Sequence, residues 1–359
     1  MINPKIGLLQ DGHAVRLQTE DYVRVFTVID GPIVPGGKYQ TRLNTREEVD
    51  GLDHRNRSGG SGYNSAKANA RISRPSPVRI KYIDSAEPNH INTERLEFWG
   101  IDYKFLGKRQ IQFNVVVGYD GDKIIIKGPL KTGVQLDSQS QSSVFKFLRG
   151  ADGILINSIK DEEFAMLLIK IAKEMDIPVY FGATSSPSIE FSLTQAIPNG
   201  PTVTNYEDIA RMNNLNPQEL VNLSADKAIA GITDLIKTMQ RKGIFHDYPF
   251  VVTLGGKGMI PVASNKEMRH VRMAQPFADR VDEHLKTDLR GSLGGGDYFT
   301  GGLYDQFMQA FLGPDKVHPS NVTPDDLETM VRQSNIVAID VMRYQGPAPS
   351  LSSFDSKRL

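Results

Sequence analysis

The chain has 359 residues, 42 basic and 42 acidic, 39% of hydrophobic type and no cysteine. A balanced charge gives no argument for nucleic acid or an anionic membrane as the main partner, and the lack of cysteine excludes disulfides, thiolate metal sites and a cysteine nucleophile. The opening MINPKIGLLQDGHAV has no basic flank ahead of a sustained apolar run, and no apolar run approaches the roughly 20 residues of a membrane span. A cytoplasmic protein acting on a small polar ligand is expected, and the length suits one large α/β domain with an accessory piece, or two ordinary domains.

In chain order, YVRVFTVIDGPIV from Tyr22 has the β-branched density of a buried strand ending in a Gly-Pro turn. The polar stretch PGGKYQTRLNTREEVDGLDHRNRS lacks a core pattern and reads as a projecting element, while NSAKANARI is expected to be helical. IQFNVVVGYDGDKIIIK places Asp120-Gly121 between two apolar runs, which predicts a hairpin able to join the polar segment in a small sheet. After Gly150 the pattern alternates: GILIN, EEFAMLLIKIAKEM, IPVYFG, TVTN, YEDIARMNNL, DKAIAGITDLIKTMQ and FVVTLG. Short apolar runs separated by helices predict parallel strands with right-handed crossovers, hence a doubly wound, mostly parallel α/β sheet. Ligands of such sheets collect beyond the carboxyl ends of the strands.

Three glycine-rich stretches stand where a ligand could approach backbone. GGSGYNSAKANARI from Gly59 is a glycine loop opening a helix, without the Gly-Lys-Ser or Gly-Lys-Thr of a Walker loop. FVVTLGGKGMIPV is a strand, a glycine turn and a strand. In GGGDYFTGGLYDQFMQAF, Gly294, Gly295 and Gly296 lead into Asp297 ahead of an apolar helical pattern. A helix N-terminus presents amides without intrahelical partners, so this stretch is either an anion site with a carboxylate base beside it or a loop in which Asp297 is the N-cap.

Taken in order, these elements resemble the ribokinase or PfkB family of carbohydrate and nucleoside kinases over nearly the whole chain. GGSGYNSA is similar to the family's GGxGxN element, TNYEDIARM to its N-x-x-E element, VTLGGKG to the strand and turn beside the nucleotide, GGGDYFTGG to the GAGDxFxGG box, and SNIVAIDVMRYQGPAPS to the closing helix. The resemblance implies one ribokinase-like domain over 1–359, with a small β lid from about 36–57 and 104–130. It implies ATP and Mg²⁺, transfer of a phosphoryl group to a hydroxyl of a sugar-like molecule, Asp297 as general base, and Gly294, Gly295 and Gly296 as anion hole. It further implies Asn205, Thr253, Gly255, Gly258 and Asn335 at the nucleotide, Asp208 at the metal, and Gly59, Gly60 and Asn64 at the substrate. A homodimer through the lid is a further implication. A nucleoside kinase and a catalytically degenerate binding or scaffold protein are the rival expectations.

The departures from the family pattern are specific. Gly291 and Ser292, after Arg290, stand where Asp-Thr usually precedes the glycines; Asp208 replaces glutamate; and the place of the substrate aspartate falls at Val34 or Pro35, with Asp30 nearby. The histidines, at 13, 54, 90, 246, 270, 284 and 318, include no pair three or four apart, so no zinc-type site is expected. DHRNR from Asp53 reads as a solvated charge run or a phosphate contact, and Trp99 as a packing anchor or a stacking platform.

Overall fold

The computed structural model describes residues 14–15, 38–40, 54–55, 61–72, 80–88, 90–109, 114–119, 122–127, 136–157, 162–182, 201–221, 223–242, 248–272 and 295–343. The strand expected over 22–34 lies outside them, as do most of the DHRNR run and the C-terminal tail.

The first strands are short: β1 (Ala14–Val15), β2 (Lys38–Gln40) and β3 (His54–Arg55), with β1 and β3 antiparallel partners. Helix α1 (Ser61–Ile72) follows, then β4 (Lys81–Ala86), α2 (His90–Phe98) and β5 (Asp102–Arg109), the two strands forming a parallel pair. Strands β6 (Asn114–Tyr119) and β7 (Asp122–Lys127) make the hairpin across Asp120-Gly121, with Tyr119 opposite Asp122. Strand β2 joins that hairpin in parallel with β7, Lys38 opposite Ile125, giving the sheet order β2-β7-β6. Residues 104–109 pair with β4, and the small sheet takes 38–40, 114–119 and 122–127 from the stretches expected to form a lid.

Helix α3 (Ser138–Leu148) is capped by Asp137, whose side chain accepts from the Ser140 amide at 2.7 Å. Beyond it the strand and helix alternation unfolds as the sequence predicts: β8 (Ile154–Asn157), α4 (Glu162–Met175), β9 (Val179–Gly182), β10 (Thr202–Asn205), α5 (Tyr206–Met212), α6 (Pro217–Val221), α7 (Ala225–Arg241) and β11 (Phe250–Thr253). Strands β8, β9, β10 and β11 are parallel neighbours, and β12 (Met259–Val262) turns back antiparallel to close the edge. Two long helices complete the body: α8 (Gly295–Leu312) and α9 (Pro324–Arg343).

The near-continuous apolar runs follow from burial on both sheet faces. Ile154, Ile156, Val179 and Phe181 point to one side, against Ala165, Leu168, Ile169 and Ala172 of α4. Further along the same side Phe250 and Val252 meet Ile232, Ile236 and Met239, which form the apolar stripe of α7. The alternate residues Tyr180, Val203 and Val251 face Phe299, Leu303, Phe307, Leu327 and Val331 of α8 and α9. Each such fully buried side chain contributes about 1.5–3 kcal/mol of apolar transfer. The result is a doubly wound, mostly parallel α/β sheet. No helix among the described residues is long and apolar enough to cross a membrane.

Helix α8 lies unusually close to both its helical neighbours, and two glycines explain why. A Cβ on Gly301 would stand 2.6 Å from the Ser65 carbonyl oxygen of α1, and one on Gly302 3.3 Å from Ser334 Cα of α9. The pair set the spacing of three helices.

Candidate active site

The site grows from two helix starts that meet. Helix α8 begins inside the glycine run, so Gly295 and Gly296 are its first residues and Asp297 is its third. Asp297 is therefore not the N-cap. The amides of this first turn have no intrahelical acceptor and lie at the positive end of an 18-residue helix. Gly296 is exposed, whereas Asp297 is half-buried and Tyr298 onward is buried. The turn thus stands at the boundary between core and solvent.

Helix α1 starts beside it. Asn64 Nδ2 donates to Asp297 Oδ2 at 3.1 Å, and Ser65 Oγ donates to the Asp297 carbonyl oxygen at 2.7 Å. Ser65 Oγ in turn accepts from Asn157 Nδ2 at 2.6 Å, at the carboxyl end of β8. One residue of α8 is thereby held through both its side chain and its main chain.

The carboxyl ends of β10 and β11 lie side by side, Asn205 opposite Thr253. Asn205 caps α5 reciprocally with Asp208: its Oδ1 accepts from the Asp208 amide at 3.0 Å and its Nδ2 donates to Asp208 Oδ2 at 2.8 Å. Asp208 is 1% exposed, and its Oδ1 accepts from Arg211 Nη1 at 2.9 Å. Both carboxylate oxygens already take a bond, so a Mg²⁺ ligated there directly would compete with a guanidinium. Among the described residues no group of three His, Cys, Asp or Glu could hold a metal. As held, Asp208 does not fit direct coordination.

Beyond β11 the chain forms a short 3₁₀ turn, Gly255–Lys257, with Gly258 at φ 104°. A Cβ on Gly258 would lie 2.3 Å from the Val271 carbonyl oxygen, so only glycine fits the turn. Lys257 anchors it from outside, its Nζ donating to the carbonyls of Leu220 at 3.3 Å and Leu223 at 3.0 Å. Burial lowers the Lys257 pKa from its ordinary value. Thr253 Oγ1 donates across the sheet to the Thr204 carbonyl at 3.1 Å.

Neither a scan against protein-family models nor a search of curated proteins finds a match. Solved structures do match. Adenosine kinase from Schistosoma mansoni in complex with adenosine is similar over 97% of this chain and 97% of its own, with a TM-score of 0.60 at 13% identity. Ribokinase from Giardia lamblia matches over 86% and 90%, with a TM-score of 0.58 at 14% identity. The chain has the ribokinase fold. A ribokinase from Cryptococcus neoformans in complex with ADP is a further relative in shape, with a TM-score of 0.52 at 16% identity over 88% of this chain and 94% of that one.

Within the ribokinase fold the residues singled out from sequence fall into three places. Gly295, Gly296, Asp297 and Asn64 come together at the α1 and α8 starts. Asn205, Asp208 and Thr253 share the ends of β10 and β11, with Gly255 and Gly258 in the adjoining turn. Asn335 stands half-buried on α9, next to the Ser334 that packs on Gly302. Gly59, Gly60 and Gly294 lie outside the described residues. Trp99 is 8% exposed and packs with Tyr63, Leu96 and Ile101, with Lys67 Nζ 5.9 Å from its ring centroid, so it is a packing anchor.

Sequence reading passes over Asn157 and Arg211, and gives Ser65 no role beyond a possible helix cap. For Asn157 there was a signal: a polar residue ending the apolar run ILIN is placed where such sheets present side chains to ligands or loops. Ser65 carried none beyond its position after Asn64, because a helix-borne serine is ordinarily neutral in meaning. Arg211 carried none, since pairing with Asp208 at i, i+3 looks like any exposed helix pair until the burial of Asp208 is seen.

Proposed function

We propose that the protein is an ATP-dependent phosphotransferase acting in the cytoplasm on a hydroxyl of a sugar or sugar-like small molecule. The observation that carries this reading is the hydrogen bond from Asn64 to Asp297, which joins the element expected to face the acceptor to the carboxylate expected to serve as base. Asp297 would take the proton of the acceptor hydroxyl as its oxygen bonds the γ-phosphorus and the bond from that phosphorus to the β,γ-bridging oxygen breaks. Main-chain N–H groups of Gly294, Gly295 and Gly296 would hold the transferring oxygens, a role suited to a transfer that needs positioning and charge stabilisation more than covalent help. Gly59, Gly60 and Asn64 would orient the acceptor. Asn205, Thr253, Gly255, Gly258 and Asn335 would line the nucleotide. ATP would be used together with Mg²⁺, and Asp208 would serve as a helix cap rather than a direct ligand because Arg211 engages it.

The sheet β2-β7-β6 would cover the acceptor and keep water from competing for the phosphoryl group, and a second copy would pair through it. A nucleoside is the alternative acceptor, supported by the adenosine complex among structures of the same fold. The pairing of Asp208 with Arg211 favours a further alternative, a binding or scaffold protein that keeps the fold without catalysis.

One assay separates the three: ADP formation from ATP with a panel of sugars, sugar phosphates and nucleosides, run with the native chain and with Asp297→Asn. Acceptor-dependent ADP formation that Asp297→Asn abolishes supports the kinase reading, and the acceptor that works names its branch. Silence across the panel with nucleotide binding intact would support the scaffold reading.

A further inference from the structure

The sequence motifs do not account for a chain of partly buried hydrogen bonds running from the central sheet to the first turn of α8. Asn157, at the end of β8, donates from Nδ2 to Ser65 Oγ at 2.6 Å, and Ser65 Oγ donates to the Asp297 carbonyl oxygen at 2.7 Å. Ser65 is 1% exposed. A serine hydroxyl has one proton and two lone pairs. The Asp297 carbonyl oxygen can only accept and the Asn157 amide nitrogen only donate, so the hydroxyl proton goes to Asp297 and the polarity of both bonds is fixed. Bonds in such a chain polarise one another in a low-dielectric interior.

The surroundings are shaped to keep this arrangement. Asn157 is registered opposite Gly182 on β9, where a Cβ would fall 2.2 Å from Asn157 Oδ1. Glycine there leaves the amide its room. On the far side, Gly301 lets the Ser65 main chain approach α8 one turn after Asp297. Three elements, β8, α1 and α8, are locked at one point, and that point is the main chain of the residue whose carboxylate accepts from Asn64.

We infer that Asn157 and Ser65 are positioning residues, which tie Asp297 and the anion-binding turn of α8 to the end of the central sheet. The inference rests on the kinase reading of Asp297. The relay touches neither acceptor nor nucleotide. It acts by fixing where the Gly295 and Gly296 amides and the Asp297 carboxylate stand, in a reaction where misplacement by about 1 Å can cost 10²-fold.

The test compares binding of ADP with binding of ADP plus aluminium fluoride, a mimic of the transferring phosphoryl group, by calorimetry in magnesium-containing buffer. The native chain should bind the second more tightly. Ser65→Ala and Asn157→Leu should each cut that advantage by about tenfold while leaving the affinity for ADP alone within about twofold. The double variant should lose no more than Ser65→Ala does, because the two act through one path. Asn157→Leu, which leaves the Ser65 hydroxyl in place beside Asp297, decides the matter should Ser65→Ala fail to fold. A merely structural role would shift the urea midpoint and leave the advantage intact, and that result overturns the inference. Losses that multiply in the double variant overturn it too. A native chain with no advantage for aluminium fluoride overturns the kinase reading and this inference together.

Discussion

Asp297 and Asp208 look alike in the sequence and are used differently by the fold. Each stands in the first turn of a helix near the carboxyl ends of the central strands. Asp297 opens an 18-residue helix, is half-buried, and accepts from the neutral amide of Asn64. Asp208 belongs to a seven-residue helix, is buried, and is shared between the Asn205 amide and the Arg211 guanidinium. The Arg211 guanidinium offsets the Asp208 charge where it stands, inside the protein. Asp297 stands at the boundary between core and solvent. The two acids differ in burial and in the length of helix each opens.

The strongest way to break that contrast is to neutralise each acid in turn. On the proposed mechanism Asp297→Asn keeps the shape and removes the proton acceptor, so acceptor-dependent ADP formation should fall by about 10³-fold with ADP affinity retained. Asp208→Asn should leave turnover within severalfold. Equal losses in the two variants would make the corner at Asp208 part of the chemistry and erase the distinction.

The glycines of α8 come next in size. Gly301→Ala puts a Cβ 2.6 Å from a backbone oxygen of α1, which cannot swing aside as a side-chain tip could. Overpacking of this kind costs about 1–3 kcal/mol, read as a fall in the urea midpoint. Gly302→Ala meets Ser334 only at 3.3 Å and should cost distinctly less. Equal losses would show that the nearness of the Ser65 oxygen does not set the joint, and a gain in both variants would show that helix propensity outweighs close approach.

Much of this was legible in the chain. The strands ILIN, VYFG, TVTN and FVVT declare themselves because burial on both faces demands unbroken apolar runs, and α7 because Ala228, Ile232, Ile236 and Met239 repeat at helical spacing. The hairpin followed from Asp120-Gly121 between apolar runs. The helix start at Gly295 was less legible, since glycine is a poor helix former and a run of three reads as a loop. Least legible were the partners of the site residues. Nothing near residue 65 says that its hydroxyl will meet residues 157 and 297, because such bonds exist only after the sheet and two helices have docked.

A third acid sharpens the contrast at its weak end. Glu328, on α9, takes bonds from Arg332 at 2.6 Å and from Arg269 at 3.2 Å, the same pairing as Asp208 with Arg211 but with the side chain 26% exposed. Its pKa is held below the ordinary value, first by the Arg332 hydrogen bond, against an opposing push from burial that is itself larger than the pull of the Arg269 hydrogen bond. A depressed folded-state pKa means the folded protein prefers the ionised form. The stability so gained is present above the unfolded value and is lost as pH falls through the folded one. Water and salt screen it, so Glu328→Gln should cost under about 1 kcal/mol at pH 7 in low salt. The loss should shrink in 1 M salt and vanish in acid. Arg211→Leu, which strands a buried carboxylate, should cost more than Glu328→Gln and should resist salt, because screening acts weakly on a charge that solvent barely reaches. If salt erased both losses equally, the burial of Asp208 would not be what sets the two pairs apart.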